Sequence, residues 1–175
     1  MGAHKLEVLK GDRNSIVDET GILDSHANDN LAVVAGRVMT HTAGGLLTPG
    51  LATAKLPFYA WSGLDLNNSP DVDRTRGMPY AGAARFGVIA SKAAVELSTT
   101  EFDSADSYVI GAPLTALSTA ATALADAGKL CNVNASTDVV VGYVSPRGKY
   151  TGPDGYATLA FYPAYVAGST VPVAP

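Results

Sequence analysis

Alternating carboxylates can hold calcium, and the run Asp71-Val72-Asp73-Arg74-Thr75-Arg76-Gly77 is the first place to test for it. A calcium loop of the helix-loop-helix kind needs Asn or Asp at its fifth position, Gly at the sixth and Glu at the twelfth. Those positions here hold Thr75, Arg76 and Gly82, and two arginines inside the loop would repel a cation. Arg74 and Arg76 are read instead as pairing with neighbouring aspartates or with a partner's carboxylates. His4, His26 and His41 stand apart, with no His-x-x-x-His pair, so a surface or interface role is expected for them. Nucleophilic chemistry finds no anchor, because Gly-x-Ser-x-Gly does not occur. Cys131 lies in an apolar run after Lys129-Leu130, which suits a packed thiol better than a nucleophile. Glu96, Glu101 and Asp103 could supply paired carboxylates of the glycosidase kind, but any β protein with 16 acids offers such pairs. No phosphate-cradling Gly-x-x-x-x-Gly-Lys-Ser/Thr loop is present. The expectation is a non-enzyme with no cofactor and no metal.

Composition narrows the classes further. Twelve Lys+Arg against 16 Asp+Glu give a net charge of −4, which does not predict the broad positive field of a nucleic-acid binder. No apolar run approaches the ~18–20 residues of a membrane span. The opening MGAHKLEVLKGDRN lacks an apolar signal region, and the single cysteine precludes an internal disulfide. Manufacture in a reducing cytoplasm is expected. Only 16% of residues are charged, against about 25% in ordinary soluble domains. So few charges suit a subunit packed among neighbours better than a free monomer.

The elements that would position these residues read mainly as β. Leu31 to Thr42, Lys55 to Trp61, Arg85–Ala90, Ala93–Ser98, Ser107–Ile110, Lys129–Val133, Val139–Val144 and Tyr156–Ala167 are short strand-like runs separated by turn residues. They predict a single β-rich domain over residues 31–170, a small barrel or sandwich, with a long polar loop at 64–82. Leu117 to Gly128 is Ala-rich with Leu117, Ala121 and Leu124 at helical spacing, which predicts one short helix with Gly128 just past its end. Residues 1–30 are polar and turn-rich, and predict an extended N-terminal arm whose Leu6, Val8, Leu9 and Ile16 would dock onto another surface.

The C-terminal run Tyr156-Ala-Thr-Leu-Ala-Phe-Tyr-Pro-Ala-Tyr-Val166 is apolar on both parities, one holding Leu159, Phe161 and Tyr165, the other Ala160, Tyr162, Ala164 and Val166. Either the strand is central and covered twice, or one face meets another subunit. Tyrosine enrichment here favours subunit contacts through Phe161, Tyr162 and Tyr165.

These residues carry a resemblance. The stretch from Val95-Glu-Leu-Ser-Thr-Thr-Glu-Phe-Asp to Val109-Ile-Gly-Ala-Pro-Leu, then Gly128-Lys-Leu, Asp138-Val-Val-Val-Gly-Tyr-Val-Ser and the final aromatic strand resemble tailed-bacteriophage head decoration, or capsid cement, proteins. The match covers about residues 85–168 and rests on strand-and-turn patterns. It implies a β-rich virion subunit, commonly trimeric, on the outer capsid surface, where it clamps neighbouring major capsid subunits against internal DNA pressure. The implied partners are the major capsid protein and further copies of itself, with no direct nucleic-acid or membrane contact. Two alternatives remain open at this point: another phage component (head fibre base, tail tube or tail tip subunit), or a carbohydrate-binding β module stacking sugars on Trp61, Phe58 and Tyr59.

Overall fold

A computed structural model describes residues 5–11, 16–22, 35–41, 47–50, 58–60, 72–73, 78–79, 85–91, 95–118, 126–135 and 138–164. The chain is mainly β. Its strands are β1 (Leu6–Lys10), β2 (Ile16–Ile22), β3 (Val38–His41), β4 (Leu47–Pro49), β5 (Phe58–Ala60), β6 (Val72–Asp73) and β7 (Met78–Pro79), then β8 (Arg85–Ser91), β9 (Glu96–Thr99), β10 (Pro113–Ala116), β11 (Leu130–Asn132), β12 (Gly142–Thr151) and β13 (Ala157–Pro163). Six of them form one antiparallel sheet in the order β1-β9-β13-β12-β10-β11. Five form a second antiparallel sheet in the order β2-β8-β5-β3-β4, and β6 pairs with β7. Among the described residues neither large sheet closes into a barrel.

Alternation along β13 explains why it is central. Leu159 and Phe161 point to one side, where they pack with Leu97 of β9, Val144 of β12, Leu114 and Ala116 of β10 and Leu130 of β11. Val38 of β3 and Tyr59 of β5 join the same cluster, so both large sheets contribute to one core. The Tyr59 and Phe161 rings lie 5.3 Å apart at a 43° tilt, and the Tyr59 hydroxyl donates to the Val141 carbonyl at 2.5 Å. Burial holds that phenol well above its ordinary pKa, so it remains a donor. Three polar contacts close the junction of the sheets. Thr99 Oγ1 donates to Gly36 O (3.1 Å), Val38 N donates to Gly128 O (2.8 Å), and Arg37 Nε pairs with Glu101 Oε2 at 2.9 Å. Gly128, at φ +84°, is required there, since a Cβ would stand 2.6 Å from the Val38 carbonyl.

One expectation fares differently from how the sequence read, and a second is left open. The described parts of residues 1–30 are sheet strands: β1 pairs with β9, and β2 pairs along its whole length with β8. The alternation Leu6-Glu7-Val8 suits a sheet with one covered face, and the chain supplies that sheet itself. The predicted Ala-rich helix falls largely on residues 119–125, outside the described residues. Its flanks continue the β10–β11 ladder, through Leu117 N to Lys129 O and Gly128 N to Leu117 O, both 2.9 Å.

Candidate interaction surface

Strand alternation also decides what the six-stranded sheet presents on the face away from its core. Pro113 is the register partner of Tyr143, and Tyr143 of Tyr162, so the three form a row across β10, β12 and β13. Their chain neighbours Leu114, Val144 and Phe161 all point into the core. Tyr143 is exposed, while Tyr162 and Pro113 are half-buried. Antiparallel partners lie ~4.5–5.5 Å apart at Cβ, so the two tyrosines are within contact reach.

Beside this row stands the most exposed apolar feature among the described residues. Val109 and Ile110 are 68% and 62% exposed. They belong to a tight turn in which Ala112 N donates to Val109 O at 3.0 Å and Gly111 takes φ +81°. A positive φ at the third residue of such a turn favours glycine. The turn is fixed to the sheet by Gly111 N to Val144 O and Val144 N to Ala112 O, both 2.9 Å. Its approach is fixed too. The Tyr108 hydroxyl donates toward Asp103 O (2.8 Å) and Leu130 O (3.2 Å), and its ring meets Phe102 edge-on at 5.6 Å. The sequence predicted a strand over Ser107–Ile110; Gly111 and the Tyr108 anchor turn that segment into a connection with its apolar tip in water.

The opposite end of the same face is charged. Glu96 is 2% exposed, yet carries a carboxylate. Its Oε1 accepts from Ser145 Oγ at 2.7 Å, with Arg147 Nε at 3.8 Å and Lys10 Nζ 3.8 Å from Oε2. Ser145 is brought there by a bulge, where five steps along β12, from Val144 to Lys149, oppose two along β13, from Phe161 to Leu159. Lys5 binds Asp154 at 2.6 Å and Glu7 at 3.4 Å, joining β1 to the β12–β13 turn. A shallow pocket of about 160 Å³ lies elsewhere, lined by Phe102, Asp103, Ser104, Leu117, Asp126 and Lys129.

The predicted site residues are distributed as follows. Leu6 is buried in the chain's own core and Val8 packs against it, with Leu9 half-buried beside them. Ile16 opens β2 opposite Ser91. Phe161 is fully buried between the sheets and so is not a subunit contact, because its parity faces the second sheet; Tyr162, its neighbour, faces outward. Tyr165, Arg74 and Arg76 lie outside the described residues, as do His4, His26 and Trp61. Phe58 and Tyr59 are buried, which withdraws two of the three rings of the expected sugar-stacking platform. Glu96, Glu101 and Asp103 do not converge. Glu96 faces Ser145 and Arg147, Glu101 faces Arg37, and Asp103 caps its own turn at Ala105 N. The Cys131 thiol is pushed up to about 12, first by burial and then by Asp106, Asp138 and Asp103, so it stays protonated at neutral pH. The Val109–Ile110 tip was missed from sequence, although Gly111 after two β-branched residues was the available signal. No family model, curated protein or solved structure matches the chain.

Proposed function

We propose that this chain is a structural virion protein that decorates the outer surface of a tailed-phage capsid and cements neighbouring major capsid subunits. In this reading the two large sheets are the layers of a β-sandwich, and the protein works as a homo-oligomer, a trimer. The observation that carries the reading is the backbone-pinned Val109–Ile110 turn beside the Pro113–Tyr143–Tyr162 row. Large apolar side chains held rigidly in water lose little entropy on docking, and tyrosine adds area with a polar tip. The resemblance of residues 85–168 to capsid cement proteins and the low charge density point the same way. Cementing asks for many modest contacts made together, so that linkage through the shell multiplies their strength.

The test is sedimentation of the purified chain with expanded, DNA-free heads carrying the cognate major capsid protein. Substituting Val109→Asp and Ile110→Asp together touches no buried group, so the thermal midpoint should stay close to that of the parent. Head affinity should fall at least about tenfold, as expected of interface anchors worth over 1 kcal/mol each. A parent chain that does not bind heads, or a double variant that binds as tightly as the parent, would overturn the reading. Label confined to one vertex or to the tail would favour a fibre-base or tail component instead.

A further inference from the structure

β1 is bonded to one neighbour, β9, and stands at the edge of the six-stranded sheet among the described residues. β2, next in the chain, stands at an edge of the other sheet among the described residues. Residues 11–15 connect them, beginning with Gly11 at φ +111°.

The β1–β9 seam holds unsatisfied polar groups. Its register slips by one residue between Val8 and Lys10. Two buried side-chain polar atoms among the described residues find no hydrogen-bond partner, Glu96 Oε2 and Ser98 Oγ, and both lie on β9 against this strand. Glu96 is the register partner of Lys10, and Ser98 that of Glu7. The Lys10 ammonium, at 3.8 Å, is too far to bond the Glu96 oxygen. An edge strand over buried unsatisfied groups opens more readily than the sheet behind it.

We infer that β1 is an exchangeable strand, which leaves the β9 groove and is replaced there by β1 of a second copy of this chain. The occupant follows from the fit of the groove. Leu6 fills a place in the core, Val8 packs beside it, and Lys5 meets Asp154 while its backbone bonds Thr100. A second copy's β1 restores every one of these contacts. A foreign strand would have to supply the same apolar pair and cation in the same register. Exchange of identical elements between copies is a low-cost route to oligomers, with the hinge here at Gly11.

The test uses full-length chains and no capsids, so its outcome is separate from that of the docking reading. One chain carries Glu7→Cys and another Ser98→Cys; register partners in antiparallel strands are close enough for a disulfide. Concentrated mixing followed by oxidation should give covalent heterodimer at least about tenfold above a control pairing Glu7→Cys with Tyr143→Cys. A chain carrying both Glu7→Cys and Ser98→Cys should close the bridge internally and lose exchange. Heterodimer at the control level, with the internal bridge formed, overturns exchange. Failure of the internal bridge to form also overturns it, since β1 would then not occupy the β9 groove.

Discussion

Arg37 and Glu101 form an ion pair largely withdrawn from water. Their side chains are 8% and 5% exposed, and the guanidinium also donates to Ala127 O at 3.3 Å. A pair so placed contributes little over an apolar replacement, but removing one partner strands the other. Glu101→Ala should therefore cost about 3–5 kcal/mol in urea unfolding, and Arg37→Met with Glu101→Leu markedly less. A double variant as unstable as the single one would show that the charges themselves hold the junction. Only part of this was legible in sequence. Glu96, Glu101 and Asp103 stand close in the chain, and nothing local says that a strand end and a turn send them to three different neighbourhoods. Cys131 was legible as a packed thiol, because its flanking Leu130 and Val133 already described an apolar run.

Among the elements, β1 and the β12–β13 turn are tied by a contact that responds to pH. Asp154 is held below its usual value, first by its bond to the Lys5 ammonium and then by Tyr156 N, and Lys5 is held above its own, first by Asp154. A depressed carboxyl stabilises the fold above the unfolded aspartate pKa of about 3.9 and loses that contribution as pH falls through its folded value. A raised lysine contributes below about 10.4 and loses it as pH rises through the folded value. The thermal-midpoint gap between the parent and Asp154→Asn should thus be widest between about pH 5 and 9 and close at both extremes. Screening by solvent keeps that gap small, and salt should shrink it further. A gap constant down to about pH 2 would mean that Asp154 acts through its backbone turn alone. The identity of most strands was legible, β13 above all, since its two parities separate Leu159 and Phe161 from Tyr162. Pairing was not legible. Leu6 meets Thr99 and Phe161 meets Leu97, partners so distant in sequence that no local pattern specifies them.

At the scale of the molecule, one core serves two sheets, and that predicts how the protein opens. Val38 and Tyr59 come from one sheet, Leu97, Leu159 and Phe161 from the other, and the Tyr59 hydroxyl spans the gap. Neither sheet can expose its inner face without undoing the other. Native-state hydrogen exchange should give the amides of Val38 and Phe161 the same opening free energy, equal to that of global unfolding, with β1 amides opening at lower cost. Earlier exchange across the whole five-stranded sheet would show two independent units. Composition already indicated a β-rich chain with few charges, but not that the first strand closes the core rather than reaching away from it.

The buried Cys131 has a practical consequence for labelling this protein. Its thiol is the single sulfhydryl in the sequence, packed and protonated near neutrality. Maleimide reagents attack thiolates, so the native chain should stay unlabelled under mild conditions. A cysteine engineered onto an outward-facing position such as Tyr143 would then give one dye per chain, without first stripping the molecule of its own sulfur.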